Sequence, residues 1–242
     1  MADSSWRNVP LRRSVGAVPF GAMFVKICGI TNEDDALLAV AMGADAVGFN
    51  FVPSSTRFLA AQKAYDITRR LPPEVLTVGI FRDEAPDQVV KQAMRAGVKA
   101  VQLHGRETPE QAAYVAGHFR WVIKVFTAGS GQLARAAEWG TDLVMVDSPG
   151  GGSGKVFDWT LAAEAPTGVK LILAGGLTPD NVADGIRAVE PWGVDVASGV
   201  ESSPGRKDVT LVRKFIANAR AAAPVPYLGD DDRFPYDWAD DD

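Results

Sequence analysis

Cys28 and Asp147 are the two side chains of this sequence best suited to moving protons. Cys28 is the single cysteine among 242 residues. It closes the apolar run F-V-K-I-C (Phe24 to Cys28) and is followed by Gly29 and by Thr31 and Asn32, a pair that starts helices. Side chains two apart on a strand share a face, so Lys26 points the same way as Cys28 and would help hold the thiol near its thiolate. The start of the next helix would pull in the same direction. Cys28 is therefore a candidate base or nucleophile; the other reading of a lone cysteine is a small core hydrophobe. Asp147 ends another apolar run, where a carboxylate is costly unless solvated at a mouth or hydrogen-bonded. A carboxyl shielded by apolar neighbours holds its proton longer, which suits a general acid. Asp147 could instead cap its own loop through Ser148.

Other groups fit a phosphorylated substrate. L-A-G-G-L and A-S-G-V-E each end an apolar run and offer bare backbone amides, at Gly175 and Gly176 and at Ser198 and Gly199. Amides in a concave turn beside a helix start make an anion site, although glycine also serves as simple turn punctuation. Arg57 offers a two-pronged fork for a carboxylate or phosphate, or is a solvated loop cation. His104 is either a proton carrier or a satisfied histidine at a strand end, and His118, near a helix C-terminus, needs no function. With one cysteine and two histidines, the chain is expected to use no metal and to fit a reducing, cytoplasmic setting.

These groups must be positioned by a repeating pattern that starts at Phe24: an apolar run of four to six residues, a polar or Gly-rich turn, then a helical stretch. Strands are expected at 24–28, 45–51, 76–81, 99–103, 121–126, 142–147, 169–174 and 193–197. Helical stretches follow at 32–43, 60–71, 86–97, 108–118, 132–139, 157–165, 178–189 and 207–222. Strict alternation means parallel strands, and short Val-, Ile- and Leu-dense runs fit strands buried on both faces. Eight such units predict a single-domain α/β fold, a parallel eight-stranded (β/α) TIM-type barrel, whose reacting groups gather at the C-terminal strand ends. There stand Cys28, Asn50 and Arg57, His104, Asp147, the Gly175-Gly176 pair and the Ser198-Gly199 pair. A doubly wound open sheet would need G-x-G-x-x-G after its first strand, and Cys28-Gly29-Ile30-Thr31 is not that.

Hydrophobic content of 47% and charged content of 23% are ordinary for a globular protein. No apolar run approaches the ~18 residues that span a bilayer. The net charge of −5 is uneven. Residues 1–23 carry +2 and residues 223–242 carry −6, leaving −1 between them. No basic stripe exists to neutralise phosphate backbones, which argues against nucleic acid as a partner. Residues 1–23 read as a flexible arm in which Asp3, Pro10 and Pro19 interrupt any amphipathic transit helix. Residues 24–222 read as the barrel and 223–242 as an acidic, solvated tail.

The motifs K-I-C-G-I-T, G-A-D-A-V-G-F, P-S-S-T-R-F, V-Q-L-H-G, G-G-S-G-K-V-F-D-W after Asp147, L-A-G-G-L-T-P-D-N-V and D-V-A-S-G-V-E occur in that order between Phe24 and Ala222. Together they resemble the phosphoribosylanthranilate isomerase family. Indole-glycerol-phosphate synthase shares the later glycine loops but not the cysteine-bearing first strand. The resemblance implies a cofactor-free Amadori rearrangement of N-(5-phosphoribosyl)anthranilate in tryptophan biosynthesis. It implies an acid at Asp147, a base at Cys28, and substrate-binding roles for Arg57, His104, Gly175, Gly176, Asp195, Ser198 and Gly199, in a monomer or homodimer. Two alternatives stand beside it: a related isomerase that also accepts the histidine-pathway aminoaldose, and a phosphate-binding barrel without catalysis. Two departures fall in the second loop, where the family commonly has proline just before the arginine and an apolar residue at Asn50; here Thr56 precedes Arg57.

Overall fold

A computed structural model gives the fold and describes residues 23–141, 143–149 and 158–223. The expected arm and acidic tail lie outside the described residues apart from Met23 and Ala223, as does the G-G-S-G-K loop after Asp147.

Eight strands, β1 Phe24–Cys28, β2 Ala46–Asn50, β3 Leu76–Phe81, β4 Ala100–Leu103, β5 Trp121–Thr127, β6 Leu143–Asp147, β7 Lys170–Leu173 and β8 Gly193–Val196, pair in chain order. They close into a parallel barrel when β1 pairs with β8. Helices α1 Glu33–Ala41, α2 Ala61–Thr68, α3 Pro86–Ala96, α4 Pro109–Ala116, α5 Val182–Val189 and α6 Val209–Ala221 surround it. The stretches Leu133–Trp139 and Trp159–Glu164 occupy two of the expected helical positions and wind as 3-10 helix.

Local chemistry explains most boundaries. Asn32 caps α1 by accepting from the Asp35 N–H at 2.9 Å. Thr108 and Gln111 form a reciprocal capping box on α4, with Pro109 at the first helical position. Helix α5 begins later than Thr178-Pro179 suggested. Asn181 Oδ1 accepts from the Thr178 N–H at 2.7 Å, so this turn closes on itself before the helix starts at Val182. Helix α2 stops at Thr68, whose hydroxyl donates to the Tyr65 and Ala96 carbonyls.

Two apolar cores result. Outward-facing strand residues such as Val25, Ile27, Val47, Val101 and Val144 pack under the helices, while Phe24, Leu76, Ile123, Leu143 and Ile172 fill the barrel. The inward set also contains Lys26, fully buried, with Asp195 opposite it in register. A short antiparallel hairpin that the sequence reading missed, β9 Glu201–Ser203 with β10 Arg206–Lys207, follows β8 beside the mouth.

Candidate active site

The C-terminal strand ends surround a cavity that opens to solvent. It is lined by Cys28, Asn50, Arg57, His104, Asp147, Gly175, Gly176, Asp195 and Ser198, so eight of the nine site residues expected from the sequence, together with Asn50, meet at one place. Gly199 is the exception: it does not line the cavity. A side chain there would put its Cβ 1.9 Å from the Leu177 carbonyl oxygen, so Gly199 is fixed by the close approach of the β7 and β8 loops. Gly199→Ala is expected to cost on the order of 2 kcal/mol in urea unfolding, because backbone rather than a flexible side chain must yield.

Lys26 and Cys28 do share the barrel's inner face: a Cβ added at Gly48 would meet Cys28 Sγ at 3.1 Å and Lys26 Cε at 3.2 Å. The expectation of a thiol eased toward its thiolate is corrected. Burial pushes the Cys28 thiol above its ordinary value and outweighs the pull of Lys26, and Asp195 adds to the rise. Lys26 is already committed, its Nζ donating to Asp195 Oδ1 at 2.7 Å. Burial acts to lower the Lys26 ammonium's titration, but Asp195 and Cys28 raise it further, so the lysine holds its charge beneath the sulfur. Alkylation of Cys28 by iodoacetamide in the ligand-free protein is therefore expected to have its midpoint above pH 9.0, the ordinary thiol value. A midpoint below that value would show that the cations overcome burial.

Asp147 is gripped from both sides. Its Oδ1 accepts from the Ser148 N–H at 2.7 Å, the self-capping geometry, while Oδ2 lies 3.2 Å from His104 Nε2. The other ring nitrogen of His104 meets Gln102 Nε2 at 3.1 Å, so the histidine is satisfied and also faces the carboxyl. Behind the His104 loop, the buried pair Lys124 and Glu107, 2.7 Å apart, holds the chain in place. Glu107 accepts from the Gly105 and Asp83 N–H groups, and Lys124 also donates to the Gly105 carbonyl.

Arg57 is no solvated cation. Its Nε and Nη2 donate to the two oxygens of Glu201 at 2.8 and 2.6 Å, and Lys207 Nζ adds a third bond to Glu201 at 2.9 Å. Burial acts to raise the Glu201 carboxyl, yet Arg57 and Lys207 together hold it below the ordinary range. The second loop is pinned without its proline. Asn50 Oδ1 accepts from the Val52 N–H, Ser55 Oγ from the Arg57 N–H, and the Asn50 carbonyl from the Leu59 N–H. Gly175 takes a left-handed φ of 85°, and a Cβ there would collide with the Ser148 nitrogen at 2.5 Å, so the glycine loop packs directly on the acid's own turn.

The sequence reading missed Gln102, Glu201 and Lys207. Gln102 could have been found by the same alternation that joined Lys26 to Cys28, since it lies two residues before His104. Glu201 stands 144 positions from Arg57, and no local pattern announces that pairing.

A closed parallel barrel whose polar side chains converge at the C-terminal strand ends defines an enzyme of the TIM-barrel class. The family model described as N-(5'-phosphoribosyl)anthranilate (PRA) isomerase matches residues 25–218. The chain belongs to the phosphoribosylanthranilate isomerase family. It is 49% identical over 205 residues to the N-(5'-phosphoribosyl)anthranilate isomerase of Desulforudis audaxviator, covering 82% of this chain and 98% of that one. The crystal structure of phosphoribosyl anthranilate isomerase from Thermotoga maritima superposes with a TM-score of 0.75 at 41% identity, covering 82% of this chain and 99% of that chain. A second solved isomerase, 39% identical with a TM-score of 0.72 and the same coverage, is in complex with reduced 1-(o-carboxyphenylamino)-1-deoxyribulose 5-phosphate.

Proposed function

We propose that the chain converts N-(5-phosphoribosyl)anthranilate to 1-(o-carboxyphenylamino)-1-deoxyribulose 5-phosphate, with Asp147 as general acid and Cys28 as general base. Family membership makes it an aldose–ketose isomerase of tryptophan biosynthesis; the acid and base are those that the resemblance implies, supported by the cavity the two residues share. Asp147 gives a proton to the furanose ring oxygen as the bond from that oxygen to the first sugar carbon breaks, and the anilino nitrogen's lone pair forms the Schiff base. Cys28 takes the proton from the second carbon, and the electrons of that bond flow toward the imine nitrogen to give an enolamine. Tautomerisation delivers the ketone.

The observation that carries this reading is that Cys28 on β1 and Asp147 on β6 line one cavity in a family member. The amides of Gly175, Gly176 and Ser198, on the same wall, suit the phosphate, and Arg57 suits the anthranilate carboxylate. Asp195 acts from below, holding Lys26 charged under the sulfur. The same reading places the enzyme in the cytoplasm, as a monomer or homodimer; no helix among the described residues is long and apolar enough to cross a membrane. Assaying purified protein with both this substrate and the histidine-pathway aminoaldose tests it. Turnover of the first alone is the expected result, whereas binding of a product analogue without turnover of either would leave a phosphate-holding barrel and sink the proposal.

A further inference from the structure

Gln102 lies on β4, is 1% exposed and lines the cavity. Its Nε2 meets His104 Nδ1, while its Oε1 is buried with no hydrogen-bond partner among the described residues. A buried polar atom left alone is costly, so the side chain is not there for its own satisfaction. A neutral imidazole carries its proton on one nitrogen only. With Asp147 ionised, that proton belongs on Nε2, facing Oδ2, and Nδ1 accepts from the Gln102 amide. With Asp147 protonated on Oδ2, the facing ring nitrogen must accept, the ring proton belongs on Nδ1, and Gln102 must present its oxygen instead.

We propose that Gln102 is a positioning residue whose terminal amide reverses as Asp147 gains and loses its proton, so that His104 keeps a hydrogen bond at both nitrogens in either state. Half a turn of the amide exchanges Nε2 for Oε1 at the ring and breaks no other bond, because Oε1 has no partner to lose. The proton count balances: Nδ1 gains one proton from solvent and the proton on Nε2 passes to Asp147 Oδ2, a net uptake of one. Giving the Oδ2 proton to substrate leaves the ring as Nδ1–H, and the first state returns when Nδ1 releases that proton to solvent and Nε2 takes one from it. The catalytic consequence rests on Asp147 being the acid; the tautomer does not.

The test reads His104 directly, by nitrogen-15 NMR of labelled histidine in a His118→Gln background that leaves one ring to observe. With Asp147 intact, the ring proton is expected on Nε2. In Asp147→Asn, the side-chain oxygen stays with the Ser148 N–H and the amide group faces the ring as a protonated acid would, so His104 is expected to switch to Nδ1–H. Adding Gln102→Met to Asp147→Asn removes the acceptor and is expected to give mixed tautomers, while adding Gln102→Glu is expected to restore a clean Nδ1–H. A ring that stays Nε2–H in Asp147→Asn overturns the proposal, as does one that switches as fully with Met at position 102. Either result counts whether or not the isomerase assay succeeds. In turnover, Gln102→Met alone is expected to lower kcat about tenfold, the worth of one neutral hydrogen bond, with KM within about twofold. An unchanged kcat overturns the catalytic consequence.

Discussion

Asp147→Asn is expected to lower kcat by roughly 10²–10⁴-fold, the range that a positioned general acid contributes. The amide has no proton acidic enough to meet the furanose oxygen as its bond to carbon breaks, so ring opening becomes the slow step. The fold is expected to survive. The bond from the Ser148 N–H needs only an oxygen, which the amide keeps, and shape and volume are nearly unchanged. KM should move less than kcat, because the amide keeps the shape of the turn on which the Gly175 loop packs. Steady-state kinetics beside a thermal melt separate the two effects: a variant within tenfold of wild-type kcat would remove Asp147 from the role of acid.

Cys28→Ser is expected to be nearly as damaging, again by about 10²–10⁴-fold in kcat, because the alcohol holds its proton far more tightly than the thiol. The pH dependence carries a second signature. Burial raises the thiol's titration, with Lys26 and Lys207 only partly offsetting it, so the sulfur stays protonated over more of the pH range than an exposed thiol. The base is the deprotonated form, so kcat/KM should climb as pH rises toward that titration. In Cys28→Ser the climb should be absent, and a variant retaining both rate and slope would require another base.

The barrel was legible because its strands are dense in β-branched and large apolar residues and are punctuated by glycine and proline; β3 was read at its observed bounds, Leu76 to Phe81. Residues 133–139 and 159–164 look helical in composition, and each, a short stretch held by neighbours, winds tighter than an α-helix. What failed locally failed for local reasons. Thr178-Pro179 has the residues of a helix start, yet Asn181 closes the turn first. Strands of three and two residues, as in β9 and β10, are too short to show a period. In the site, the strand-end rule picked out cavity-lining groups on or just past β1, β2, β4, β6, β7 and β8. It could not say that Lys26 would be tied to Asp195, or Arg57 to Glu201, because those pairings are made by barrel closure and by a hairpin late in the chain.

The guanidinium of Arg57 is closed on Glu201 by two bonds. An incoming carboxylate therefore has to share the outer edge of that fork or unseat Glu201 and leave its charge leaning on Lys207 alone. For the carboxylate assigned to Arg57 in the proposed function, binding at this corner is an exchange reaction. A ligand held at its phosphate end by the glycine amides, as proposed above, is the one placed to make that exchange, because its second contact is intramolecular.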